Sequence, residues 1–183
     1  IIGTGSVGWI YSYFALMSIG AVTVPIDKEL PANEMASIIS RAECTAVFYG
    51  AEIGGKLDYL KANTGASVYV CINGEQSVKD GAAADTTAAE LISRGGEKFA
   101  AGDNSYYDYE IDPDRLASIV FTSGTTGKGK GVMLSQTNIV SDMTQGMYNF
   151  AITKKTMNLL PPHHTFGSTV NYVGHFSQGC EIY

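Results

Sequence analysis

The chain has 183 residues, enough for one hydrophobic core or for one domain and part of another. With 45% hydrophobic and 16% charged residues it lacks the charge density of a disordered chain. A formal net charge of -6 excludes a broad nucleic-acid or anionic-membrane surface, which needs clustered Lys and Arg, so any phosphate binding has to be local.

The first 26 residues carry no charged side chain. They do not read as a signal peptide or a membrane span: there is no basic flank, and glycines and Pro25 break the apolar runs well short of the roughly 18 to 20 residues that a bilayer needs. The pattern predicts a buried helix from about Ser6 to Ile19, ended by Gly20, and then a short strand over Ala21 to Ile26. The same unit recurs. Met35, Ile38, Ile39 and Ala42 share a helical face before the strand Thr45 to Tyr49; Ile53, Leu57 and Leu60 share another before the strand Ser67 to Ile72. Helices alternating with near-continuous apolar strands predict an α/β fold, a parallel sheet with helices on both faces.

Residues 73–112 turn polar and small and are expected to form a surface excursion, with one helix around Thr87 to Ser93. Leu116 to Phe121 then reads as a buried strand inside the parallel sheet. It runs into "TSGTTGKGKG", Thr122 to Gly131, which holds hydroxyls, glycines and two lysines and no acid. Such a stretch offers backbone N–H groups, hydroxyls and ammonium groups to an anion, at the carboxyl end of a strand where open α/β sheets bind ligands. Gly124 to Lys130 spells GxxxxGK, but Gly131 replaces the Ser or Thr that a P-loop uses to hold Mg²⁺, and the strand-like "GVML" follows in place of a helix. Ser135 is expected to cap a helix carrying Ile139, Val140, Met143 and Met147. His163 and His164 follow Pro161-Pro162, at a turn or helix start near a candidate subdomain junction at about 155–165. Adjacent histidines seldom share one ion, so no metal site is expected from them, His175 or Cys180. Cys44, Cys71 and Cys180 read as buried reduced thiols.

"FTSGTTGKGKGVMLSQTNI", Phe121 to Ile139, resembles the phosphate-binding signature of the adenylate-forming superfamily, departing from it at Gly129, where proline is usual. "LMSIGAVTVPID", Leu16 to Asp27, and "LPPHHTFG", Leu160 to Gly167, are similar to two further elements, in family order, the second to that of the acyl- and aryl-CoA ligases, and the sequence around Thr165 to Tyr172 looks most like the long- or medium-chain fatty acyl-CoA ligases. The resemblance implies that residues 1–183 are an incomplete part of the large N-terminal adenylation domain. It implies attack of a carboxylate on the α-phosphate of MgATP, loss of pyrophosphate, and capture of the acyl-adenylate by coenzyme A. Thr122, Ser123, Gly124, Thr125, Thr126, Gly127, Lys130 and Gly131 would then bind the nucleotide phosphates, Lys130 would stabilise the leaving group, and His164 would act near the acyl-phosphate junction. The expected partners are ATP, coenzyme A and a small-molecule carboxylic acid, with no nucleic acid.

Gly167 stands where amino-acid-activating members place an aspartate, which favours an uncharged acyl or aryl acid, most simply a fatty acid. The elements that would hold Mg²⁺ and the ribose are expected beyond residue 183. Both chain ends read as cut, so the piece alone is expected to be inactive, and the whole protein cytoplasmic, with peripheral membrane contact left open. The alternatives are a non-catalytic nucleotide- or anion-binding module and a peptide-synthetase-like adenylation domain. Proline at position 129 would stiffen the loop before nucleotide arrives, so Gly129→Pro is expected to tighten MgATP binding modestly.

Overall fold

The computed structural model describes residues 1–73, 85–122, 129–148 and 153–183. Helix α1 spans Val7–Ser18, with the Ser6 hydroxyl accepting from the Trp9 N–H, and the chain turns away at Gly20, whose φ of 71° suits glycine. Helix α2, Ala32–Arg41, buries Met35, Ala36 and Ile39; helix α3, Gly54–Asn63, buries Leu57 and Leu60. The spacing of these side chains places them on one face of each helix, and each buried aliphatic contributes about 1.5–3 kcal/mol.

Strands β1 (Ala46–Tyr49), β2 (Val68–Cys71) and β3 (Asp85–Thr87) pair in parallel in that order. Single-residue parallel bridges extend the array: Ile2 lies between Tyr49 and Ile26, and Thr23 lies beside Ser118 of strand β4, Leu116–Thr122. The expected strand over Ala21 to Ile26 is thus reduced to two bridging positions. Pro25 has no N–H to give to a ladder, which accounts for the interruption. Alternating residues divide between the faces. Ile2, Val47, Tyr49, Tyr69 and Cys71 pack with α2 and α3, whereas Ile1, Phe48 and Ile72 pack with Trp9 and Tyr13 of α1. Helices therefore cover both faces, as the sequence predicts.

The sheet is not parallel throughout. β4 pairs on its other side, antiparallel, with β5, Lys130–Ser135. Only a few residues join Thr122 to Lys130, and a parallel return needs a crossover of about a dozen or more, so a hairpin is the only connection the spacing permits. Helix α5, Gln136–Met147, follows directly, capped as expected by Ser135, which exchanges hydrogen bonds with Asn138.

The 73–112 excursion contributes the edge strand β3 and a longer helix than expected, α4, Ala88–Ala100. Thr87 and Glu90 form a capping box that starts it, and it passes through Gly95 and Gly96. Beyond 153, β6 (Lys155–Thr156) pairs in parallel with β7 (Glu181–Ile182), and between them the helix over Gly167–Gly174 is wound as a π-helix that passes into α6, His175–Ser177.

Helix α1 lies very close to the sheet. A Cβ on Gly8 would sit 2.3 Å from the Ile72 carbonyl oxygen. Gly8→Ala is expected to destabilise the fold by about 1–3 kcal/mol, seen as a lower melting temperature; an unchanged melt would show that α1 can retreat from the sheet without cost.

Candidate functional site

Strands β4 and β5 flank the glycine-rich stretch, of which Thr122 and residues 129–131 are described. Thr122 and Lys130 are direct cross-strand partners at its neck, both exposed, and the Thr122 hydroxyl reaches the Lys130 carbonyl at 3.5 Å. One step back, Phe121 pairs with Gly131. A Cβ at Gly131 would come within 2.9 Å of Ile119 Cγ2 and 3.3 Å of Phe121 Cζ, so the glycine leaves room for the aromatic ring across the strand pair. Ser123, Gly124, Thr125, Thr126 and Gly127, the remaining expected phosphate-binding residues, lie outside the described residues. Of the set read from sequence, the structure therefore brings together Thr122, Lys130 and Gly131.

The neck is tight at Gly129. A Cβ there would stand 2.8 Å from the Thr122 carbonyl oxygen, a backbone atom that cannot swing aside. For the stability of the hairpin, the entropic gain of about 0.4–1 kcal/mol behind the expected effect of proline is outweighed by an overpacking cost of about 1–3 kcal/mol. The left-handed backbone that would also exclude proline is not adopted, because Gly129 is absent from the positive-φ positions of the described chain.

The histidine pair sits on a turn held by its backbone. The His164 N–H donates to the Pro161 carbonyl at 3.1 Å, and the His164 carbonyl accepts from the Ser168 N–H at 2.9 Å, which launches the helix that follows. His164 is exposed and His163 half-buried. His163 Nε2 lies 3.6 Å from Asp27 Oδ2, so two segments far apart in sequence meet there. Burial pulls His163 below its ordinary value despite the Asp27 carboxylate, and His164 and Lys28 push the same way. Sequence reasoning treated His163 as a plain turn residue and gave Asp27 no partner.

Gly167 is buried, and a Cβ on it would lie 2.5 Å from the Pro161 carbonyl oxygen, so the turn closes on a residue without a side chain. Downstream, Phe166, which precedes the π-helix, is 43% exposed while Val170 within it is buried. His175 Nδ1 is 2.9 Å from the Val170 carbonyl within its own helix.

Sequence periodicity also gave no sign of Arg41, the last residue of α2. Its Nη2 donates to the Gly129 carbonyl at 2.8 Å, and its guanidinium lies 5.0 Å from the Phe121 ring centroid. Nothing in the local sequence of α2 signals a contact so distant along the chain.

Two measurements test this geometry. Gly129→Pro is expected to lower the thermal stability of the hairpin, read as faster amide exchange at Lys130 and Gly131; slower exchange would restore the entropic account. For His163 the folded value lies below the ordinary 6.5, so the stabilisation is complete above that pH and is lost as pH falls through the folded value. Wild type should therefore lose more melting temperature than His163→Gln between about pH 7.5 and about pH 5, and parallel curves would contradict it.

The family model for the AMP-binding enzymes matches residues 1–183. YdaB of Bacillus subtilis (strain 168), named as an acyl-CoA ligase, is 30% identical over 167 residues, covering 90% of this chain and 31% of its own length. Among solved structures, the N-terminal domain of FACL13 from Mycobacterium tuberculosis superposes with a TM-score of 0.74 at 21% identity, over 99% of this chain and 42% of that one. ATP-bound MatB from Rhodopseudomonas palustris superposes with a TM-score of 0.70 at 26% identity, over 100% of this chain and 34% of that one. The chain spans under a third of the length of the curated relatives it matches. Its α/β sheet, its hairpin and its full-length match to the family model together make it a member of the AMP-binding, adenylate-forming enzyme family.

Proposed function

We propose that the protein carrying this chain is an AMP-forming acid–thiol ligase that joins an uncharged acyl group to coenzyme A through an acyl-adenylate. The observation that carries this reading is the hairpin neck, where Thr122 and Lys130 face each other across β4 and β5 at the carboxyl end of a strand that is parallel to its inner neighbour. Hydroxyl and ammonium donors fixed on a strand pair require little reorganisation when charge builds on a leaving pyrophosphate. In this reading Lys130 neutralises that charge, Thr122 donates to a phosphate oxygen, and Ser123, Gly124, Thr125, Thr126, Gly127 and Gly131 complete the cradle.

His164, exposed on its turn, is positioned to donate a hydrogen bond to a carboxylate or phosphate oxygen. Gly167 supports an acid without an ammonium group. An aspartate at that position would have to push its Cβ past the Pro161 carbonyl, so this turn does not offer the counter-charge that an amino-acid substrate needs. A fatty acid is the simplest acid of this class, and fatty acid metabolism the corresponding role.

Among the described residues no three His, Cys, Asp or Glu side chains gather into a cation site. In this reading the Mg²⁺ that accompanies ATP is held by the phosphates and by residues beyond residue 183. Among the described residues no helix is long and apolar enough to cross a membrane. We place the protein in the cytoplasm, where ATP and coenzyme A are available, and assign residues 1–183 to an incomplete part of its N-terminal adenylation domain.

The test is carboxylate-dependent ATP/pyrophosphate exchange by the full-length protein, across straight-chain acids of increasing length and a panel of amino acids. Exchange with the former and not the latter is expected. Lys130→Ala should lower the exchange rate by about 10²-fold or more, in keeping with the loss of one preorganised donor at a developing charge. Robust exchange with amino acids, or exchange indifferent to Lys130, would overturn the assignment.

A further inference from the structure

The two strands of the phosphate-loop hairpin are held at the neck by one side chain from another part of the fold. Arg41 ends α2, a helix already anchored in the core by Met35, Ala36 and Ile39, and its own side chain is exposed. Its guanidinium does two things at once. In the plane, Nη2 donates to the Gly129 carbonyl at 2.8 Å, immediately before Lys130; over its face lies the Phe121 ring at 5.0 Å, immediately before Thr122. One contact is on β4 and the other immediately before β5, so the two flank the Thr122–Lys130 pair.

We propose that Arg41 is a positioning residue for the phosphate-binding loop, clamping both strands of the β4–β5 neck so that Lys130 and Thr122 present their donors in a fixed orientation. The proposal rests on the reading of this loop as the nucleotide-phosphate site. Arginine suits the task because its planar, delocalised cation donates within the plane and stacks on an aromatic face simultaneously, whereas the ammonium of lysine is a point charge that satisfies one contact at a time. Gly131 completes the arrangement from the other strand, since any side chain there would crowd Phe121. Gly129 contributes its carbonyl and, having no Cβ, allows the close approach to Thr122. Arg41 acts through Gly129 and Phe121 and is not assigned a contact with the substrate.

The test compares full-length wild type, Arg41→Ala and Arg41→Lys in three measurements: MgATP affinity by calorimetry, the kinetic constants of pyrophosphate exchange, and amide exchange at Lys130 and Gly131 without nucleotide. Arg41→Ala should weaken MgATP by about fivefold, the size that one exposed charge-assisted hydrogen bond with a cation–π contact supports, while the KM for the acid and the melting temperature stay at wild-type values. Amide exchange at the neck should quicken. Arg41→Lys should resemble Arg41→Ala. Full rescue by lysine would overturn the clamp in favour of simple charge, and equal losses for ATP, acid and melting temperature would overturn it in favour of general structural damage. If wild type binds no MgATP, the phosphate-site reading fails by itself. The ligand-free amide exchange then still decides the clamp, and an unchanged neck in Arg41→Ala would refute it.

Discussion

The position of the hairpin depends on one buried parallel contact, between Thr23 and Ser118. The Thr23 N–H donates to the Ala117 carbonyl and the Ile119 N–H to the Thr23 carbonyl, each at 2.9 Å. The hydroxyls repeat the pattern: Thr23 Oγ1 donates to Ala117 O and Ser118 Oγ to Thr23 O, each at 3.2 Å. Both side chains are 1% exposed, so these hydroxyls have little access to water and would each carry a desolvation cost if left unpaired. Burial raises the Tyr13 phenol above its ordinary value, while hydrogen bonds to Ser118 and Thr23 oppose that shift, which ties α1 to the same junction. β4 has no other parallel neighbour among the described residues, and within the described sheet β5 pairs only with β4. The root of the β4–β5 pair is therefore held in the sheet by two small polar residues, one on each of two otherwise apolar segments.

Most helices were legible because their burial is periodic and local. Met35 and Ile39, or Leu57 and Leu60, advertise a face within a single turn, and Ser6 with Gly20, or Ser135 with Asn138, mark helix ends by chemistry confined to a few residues. The unread features are those with non-local or irregular causes. The antiparallel partner of β4 follows from connection length, which the sequence supplied but which a strand-by-strand reading did not apply. The π-winding of Gly167–Gly174 is an irregularity that a 3.6-residue pattern does not signal. Arg41 meets Gly129 across most of the chain, and the His163–Asp27 approach joins two segments that no pattern links. In the candidate site, chemistry-bearing residue types were legible, and the residues that hold them in place were not.

Charge shows the same division between local and global. The chain carries a net charge of -6, yet Thr122 to Gly131 contains two lysines and no acid, and Arg41 is brought to the neck from α2. A cationic spot on an anionic body favours a small polyanion over a long one, because an extended polyphosphate backbone would meet repulsion beyond the spot, while a nucleotide ends within it.

The extended segment around Pro25 sets the spacing between the two halves of the candidate site. Thr23 fixes the root of β4, and Asp27, four residues on, stands beside His163. At about 3.3 Å per residue of extended chain the two attachments are roughly 13 Å apart along the segment. A helix over the same four residues would shorten this to about 6 Å. Pro25 opposes that contraction: it biases Val24 away from helical backbone and removes an N–H that a helix would use. The bridges at Thr23 and Ile26 then hold the segment open from either side. A stretch that contributes no donor to the phosphate loop and no imidazole to the turn thus links the root of β4 to the histidine turn, and because it runs parallel to β4 its extended backbone carries Asp27 in the direction of Thr122.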